Sequence, residues 1–186
     1  MSTALVGPAT REAALTAQLF RDPAFNVYAI LDGASIPELL VQIESAAEYV
    51  CLYRGEMPAD LAACAPYLVA LKSEDAFTRW LLEGFGQHWG VFVQSAADLG
   101  TLRRHFRTFL LVHDADGRTQ YFRYYDPRVL QRYLPTCNED ELATVFGPVE
   151  HYFAESEQAD RLLRFTFCDA KLKTESCLLS ARSQPN

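Results

Sequence analysis

The sequence predicts an α/β (α+β) fold: a mixed β-sheet flanked by helices, closed by a C-terminal antiparallel β-meander. Two patterns carry that prediction. From residue 10 to 137, β-prone apolar runs alternate with capped helical segments. From 138 to 186, one capped helix precedes three β-prone stretches separated by short turns. The chain has 186 residues, 49% of them hydrophobic and 22% charged, which fits a single domain over 1–186. Within it, 10–137 reads as an α/β lobe and 138–186 as a helix plus antiparallel strands.

Thr10 is placed to cap a first helix over 10–20, and Asp22-Pro23 breaks it. Asn26 to Leu31 is nearly all apolar, as a strand covered on both faces should be. Ser35-Ile-Pro-Glu38 has the form of a capping box, with Ile36, Leu39, Leu40 and Ile43 at helical spacing behind it. Tyr49 to Tyr53 is the next strand. This β-α-β unit is expected to be parallel, with a right-handed crossover. Met57 to Cys64 reads as about one helical turn. Tyr67–Leu71 and Trp89–Val93 are further strands. Between them lies a helix capped by Ser73, with Phe77, Trp80 and Leu81 inward and Gly84 and Gly86 at its end. Ser95 to Asp98 opens a helix that turns Leu102 and Phe106 inward and Arg103, Arg104 and Arg107 outward.

The densest polar-aromatic run comes next. Phe109–Val112 and Thr119–Tyr125 flank Asp114-Ala115-Asp116-Gly117, a hairpin pattern. Alternation places Phe122 and Tyr124 on one face of the second strand and Tyr121, Arg123 and Tyr125 on the other. Pro127 must end it. Arg123, Tyr124, Tyr125, Asp126 and Arg128 therefore gather at one strand end. An internal Arg123–Asp126 ion pair locking the strand to the next helix is one reading. A recognition surface is the other, because Tyr and Arg are enriched at interface hot spots. The following helix carries Val129, Leu130, Tyr133 and Leu134. Asn138-Glu-Asp-Glu141 is a second capping box, and Gly147-Pro148 stops that helix. The meander spans 149–154, 161–168 and 171–179, with Asp169-Ala170 as its last turn and 183–186 as a loose end.

Net charge is −7 and lysine is limited to Lys72, Lys171 and Lys173, so a nucleic-acid partner is not expected. Arginine supplies most of the positive charge and suits protein contacts. The five cysteines lack any C-x-x-C and read as reduced core thiols, with no metal and no cofactor expected. No basic n-region with an apolar core opens the chain, and no apolar run reaches the ~20 residues of a membrane span. A cytoplasmic location without membrane contact is expected. Gly84-Phe-Gly-Gln-His-Trp-Gly90 does not match phosphate-loop spacing and precedes a strand, so its glycines read as helix ends. His88, His105, His113 and His151 have no partner serine or cysteine in a nucleophile motif. A small hydrolase or metal-dependent enzyme would have to use His113, Asp114, Asp116 or Asp126, and the aspartates at 114 and 116 are better explained by turn chemistry. No catalytic residue is assigned.

An ordered set of motifs resembles a known family. It comprises Tyr28-Ala-Ile-Leu-Asp-Gly-Ala34, Leu52-Tyr-Arg-Gly55, Ala65-Pro-Tyr-Leu-Val69, Trp80-Leu-Leu82 and Trp89-Gly-Val-Phe-Val-Gln-Ser95. It continues through Leu102-Arg-Arg-His-Phe-Arg107, Phe122-Arg-Tyr-Tyr-Asp-Pro-Arg-Val-Leu130 and Phe146-Gly-Pro148. Together these resemble the bacterial type VI secretion effector chaperones, or adaptors, over about 26–148. The resemblance implies a non-enzymatic cytoplasmic chaperone. It would bind a cognate toxic effector and promote its loading onto the VgrG or PAAR spike. It brings no catalytic residues, and no role transfers to His88. The segment after Pro148 matches loosely and is a candidate for effector choice.

A chaperone of one partner needs an exposed apolar patch with a polar rim. Phe85, Trp89, Tyr121, Tyr125, Tyr133, Tyr152 and Phe153 exceed what the core strands obviously use, and the meander leaves a sheet edge open to strand addition. The residues expected to bind a partner or frame the fold are thus Arg123, Tyr124, Tyr125, Asp126, Arg128, Trp89, Tyr121, Tyr133, Tyr152 and Phe153. An immunity protein, which would block a toxin's active site, is the remaining alternative beside an enzyme.

Overall fold

Apolar strands without a polar face must be covered from both sides, and the helices of this chain divide between the two faces of one sheet. The computed structural model describes residues 10–113, 116–158 and 160–179. Its strands are β1 (Asn26–Asp32), β2 (Glu48–Cys51), β3 (Pro66–Leu71), β4 (Gly90–Ser95), β5 (Leu111–His113), β6 (Thr119–Tyr121), β7 (His151–Glu155), β8 (Arg161–Cys168) and β9 (Lys171–Leu178). Its helices are α1 (Arg11–Leu19), α2 (Leu39–Gln42), α3 (Ala59–Cys64), α4 (Ala76–Glu83), α5 (Leu99–Thr108), α6 (Pro127–Tyr133) and α7 (Glu139–Phe146). Seven strands form one sheet in the order β2-β3-β1-β4-β7-β8-β9, and β5 and β6 form a separate hairpin. The pairing of β4 with β7 unites 10–137 and 138–186 in that sheet.

The α+β class and the C-terminal meander are as the sequence predicts. The parallel β-α-β unit is not. β1 and β2 are not neighbours; both pair with β3, and every pairing among the described residues is antiparallel rather than mixed. Burial of β1 on both faces reports that helices cover both faces, and says nothing of strand direction. Along β1, Val27, Ala29 and Leu31 face a core completed by Leu15 and Leu19 of α1, Leu39 of α2, and Phe77 and Leu81 of α4. Tyr28 and Ile30 face the opposite core, built with Leu102 and Phe106 of α5, Leu130 of α6 and Phe146 of α7. The two-residue alternation of the strand thus sorts side chains into two separate cores.

Local signals place several helices. Thr10 Oγ1 accepts the Ala13 N–H at 3.2 Å, and Asp98 Oδ1 accepts the Thr101 N–H at 2.7 Å. Asn138 and Glu141 form the expected reciprocal capping box, at 2.9 and 2.8 Å. Two expected caps are corrected. Ser35 is drawn into the end of β1, where its hydroxyl donates to Asp32, and Glu38 precedes α2 instead. Ser73 bonds Glu74, and α4 starts after Asp75 without a side-chain cap. Asp169 and Ala170 both have positive φ, 53° and 58°, the backbone of a tight two-residue hairpin turn. The cysteines are free and none is fully buried, so the core-thiol reading is corrected to partly exposed thiols, with Cys64 exposed. Among the described residues, no helix is long and apolar enough to cross a membrane. Asp114, Ala115 and the end segment 183–186 lie outside the described residues.

Candidate functional site

The end of β1 organises the site. The Asp32 carboxylate is buried and accepts the Ala34 N–H at 3.2 Å and the Ser35 hydroxyl at 2.8 Å. It also pairs with the Arg123 guanidinium, 91 residues away in sequence. Burial works against the Arg123 charge, but the hydrogen bond and charge of Asp32 raise its pKa above the ordinary value. Gly33 is required beside this pair, because a Cβ there would stand 2.5 Å from the Ala63 carbonyl oxygen and 2.6 Å from that of Ala65.

The expected Arg123–Asp126 pair is therefore replaced by two different pairs. Asp126 caps α6: its Oδ1 accepts the Arg128 backbone N–H at 2.9 Å, with Pro127 opening the helix. The Arg128 side chain adds two bonds, Nε to Oδ1 at 2.9 Å and Nη2 to Oδ2 at 2.7 Å. Burial alone would raise the Asp126 pKa, but the bonds and charge of Arg128 outweigh it and hold the carboxyl below the usual range. The physical reason for the exchange lies in the backbone. β6 ends at Tyr121, not Tyr125, and the Asp126 N–H closes a turn on the Arg123 carbonyl at 3.0 Å. The side chains at the two ends of that turn leave in different directions.

The same turn overrides strand alternation for the tyrosines. Tyr124 and Tyr125 are both buried, with ring centroids 5.6 Å apart. The Tyr124 hydroxyl donates to the Phe106 carbonyl at 3.0 Å, and Phe109 and Phe122 pack around its ring. Burial, then the charge of Tyr53, pushes the Tyr125 pKa up. Tyr133 meets Phe122 at 4.7 Å; burial, then a hydrogen bond with Cys137, pushes its pKa up to about 12. Tyr152 belongs to the same core, donating to the Val145 carbonyl at 2.8 Å. Phe153 and Trp89 belong to the core on the opposite face of the sheet. Trp89 stacks on Trp80 at 5.0 Å, and Gly84 leaves the room it needs: a Cβ there would lie 2.1 Å from the Trp89 ring. The surplus of exposed aromatics is thus corrected. Phe85, Tyr125, Tyr152 and Phe153 are buried, Trp89 and Tyr133 are partly so, and Tyr121, at 55% exposure, stands open.

Tyr121 marks the open surface. Its ring lies 4.8 Å from that of Tyr53, and together with Leu52, Arg54, Met57, Leu61, Arg107, Leu110 and Leu111 it lines a groove of about 390 Å³. The groove runs between α3 and the β5–β6 hairpin. α3 buries none of its residues, which leaves Leu61 41% exposed; Leu111, on the hairpin, is 50% exposed. Arg107 forms the back wall. Its Nε donates to the Leu52 carbonyl at 2.8 Å, and its Nη2 donates to the carbonyls of Cys51, at 3.1 Å, and Tyr53. The cause is local: the Leu52 N–H donates to the Pro66 carbonyl at 2.9 Å, and proline has no N–H to return. Arg107 supplies the missing donor. Tyr53, Met57, Leu61 and Arg107 were not read from the sequence as site residues. The one local signal was a leucine on a segment too short to bury it.

A second hollow, also about 390 Å³, gathers Arg11, His88, Arg128, Arg132 and Glu155. Most of its charged groups are paired: Arg11 with Asp160 at 3.9 Å, Arg128 with Asp126 at 2.7 Å, Arg132 with Glu157 at 2.9 Å, and His88 with Glu155 at 3.0 Å, while Arg161 donates to the Ser176 hydroxyl at 3.1 Å. Among the described residues no group of three or more His, Cys, Asp or Glu is placed to hold a metal ion. Of the residues an enzyme would use, Asp126 is committed to its cap, Asp114 lies outside the described residues, and so does the His113 side chain. The site is a largely apolar groove beside a frame of buried tyrosines and ion pairs.

Comparison with curated proteins and with solved structures yields no match. The family described as Domain of unknown function (DUF4123) matches residues 27–144, which include β1 to β6, the Arg123–Arg128 corner and every residue lining the groove. The chain belongs to that family.

Proposed function

We propose that the chain is a cytoplasmic chaperone, or adaptor, that binds a type VI secretion effector and promotes its loading onto the VgrG/PAAR spike. The observation that carries this reading is the family match over residues 27–144, a family associated with type VI secretion. The motifs Phe122 to Leu130 and Leu102 to Arg107, on which the resemblance to effector chaperones rests, lie inside that match. The groove lends support, because a chaperone must present apolar surface that its cargo covers. Leu61, Leu111 and Tyr121 offer such surface beside a polar rim of arginines. The test is co-expression with the effector encoded beside this chain's gene, followed by pull-down and a delivery assay. The effector should be recovered with the chain, and without it should become insoluble or fail to be delivered. An effector that is soluble and delivered normally in its absence would refute the reading. Capture that needs only the toxic domain, and not the transport region, would point to an immunity protein instead.

A further inference from the structure

The groove between α3 and the hairpin carries a charge pattern unlike the rest of the molecule. The chain has a net charge of −7, yet Arg54 and Arg107 line this groove, and the charge of Arg103 acts on Arg107 from the same helix. Among the described residues, no Asp or Glu stands within ion-pairing distance of any of the three. Burial, then the charges of Arg103 and Arg54, pushes the Arg107 pKa down. The Arg103 Nε is buried and has no hydrogen-bond partner. Glu56 and Asp60, close by in sequence, pair with none of them. Arg107 spends donors on the carbonyls of Cys51 and Tyr53, so a strand added beside the groove would find those acceptors taken. The groove therefore suits insertion of side chains rather than strand addition.

We infer that this groove receives an amphipathic helical segment of the partner protein, with aliphatic side chains inserted between Leu61, Leu111 and Tyr121 and a carboxylate set against Arg54 on its rim. The inference rests on the adaptor reading and names the surface and the partner chemistry. A groove of about 390 Å³ is at the small end of ligand sites and admits a few aliphatic side chains. Exposed apolar side chains supply contact area, and the unmatched arginines select an acidic flank over a basic one.

The experiment has two arms and uses the full chain. In the first, wild type, Leu61→Asp and Arg54→Glu are co-expressed with the adjacent effector. Both positions are exposed, so the variants should keep the wild-type melting temperature. Recovery of effector should fall at least tenfold for Leu61→Asp and several-fold for Arg54→Glu. Undiminished recovery by both folded variants overturns the groove while leaving the adaptor reading intact. If wild type recovers no effector, the adaptor reading fails, and the second arm judges the groove alone. That arm titrates two fluorescein-labelled designed helical peptides, alike in their leucine stripe but flanked by glutamate in one and by lysine in the other. Saturable binding of the glutamate peptide at least tenfold tighter than the lysine peptide, lost in Leu61→Asp, supports the inference. Equal binding of the two peptides, or none, overturns it.

Discussion

The two ends of the sheet solve the same problem in opposite ways. Each ends in a strand with one unpaired edge, which invites another strand to join. At the β9 end the edge is eight residues long and charged: Lys171, Lys173 and Glu175 are exposed, Glu175 pairs across to Arg164 at 2.7 Å, and Lys173 pairs with Asp169 at 3.3 Å. Lysines on an edge strand discourage further pairing. At the β2 end the edge is four residues long, and Arg107 occupies the carbonyl of its last residue, Cys51, and that of Tyr53 just beyond. Beside that shortened edge the molecule exposes leucines and a tyrosine. One end is closed by charge. The other is shortened, capped at its end by an arginine, and flanked by exposed apolar side chains.

The contrast is broken most severely by emptying the frame that the two ends share. Tyr152→Ala removes a fully buried ring from β7 and should cost about 3–5 kcal/mol in urea unfolding, with partner capture lost only as the protein unfolds. Tyr152→Phe deletes only the bond to the Val145 carbonyl and should cost about 1 kcal/mol. If Tyr152→Phe abolished capture at full stability, the β7 side would be a contact surface and the contrast would fail.

Asp32→Ala is next in size. It strips a buried acceptor from Ala34, Ser35 and Arg123 and should destabilise by about 2–3 kcal/mol, discounted from a fully buried pair because Arg123 is partly exposed. Asp126→Ala should cost about 1–2 kcal/mol through the lost α6 cap. A double-mutant cycle between positions 123 and 126 should show little coupling, since the two residues have different partners.

Acid provides a smaller effect with a definite sign. His105 donates from Nε2 to the Val145 carbonyl at 2.9 Å, and burial pushes its pKa below the ordinary value of about 6.5. The folded chain therefore takes up this proton later than the unfolded chain as pH falls. Stability should decline from about pH 6.5 downward until the folded His105 pKa is passed. His151, lowered by burial and then by Arg164, adds to the same slope. His105→Gln should flatten it in urea titrations at pH 7.5 and 5. The least effect is expected at the charged edge: Lys173→Ser should leave both the urea midpoint and capture unaltered.

What could be read from the chain, and what could not, follows from the range of the forces involved. Thr10, Asp98 and the Asn138–Glu141 box cap helices through residues three positions away, so sequence order alone exposes them. The meander follows from short turns between β-prone runs, and Asp169-Ala170 closes the last as expected. Strand order was not legible, because the apolar run of β1 is equally consistent with a parallel or an antiparallel sheet covered on both sides. The Arg123–Asp32 pair spans 91 residues and the Arg107–Leu52 bond 55, so no local pattern signals either. The polar-aromatic corner was visible at once, but its chemistry turned inward: two buried tyrosines, a helix cap and a distant ion pair. The groove was not visible, because it is assembled from α3, α5 and the hairpin, none of which looks unusual alone.

Hydrogen exchange on the chain alone and on the complex recovered with its co-expressed effector tests the account most directly. Protection on binding is predicted at residues 52–61 and at the β5–β6 strands, with β9 at 171–178 unchanged. Protection concentrated on β9, with the α3 and hairpin segments exchanging as in the free chain, would contradict it.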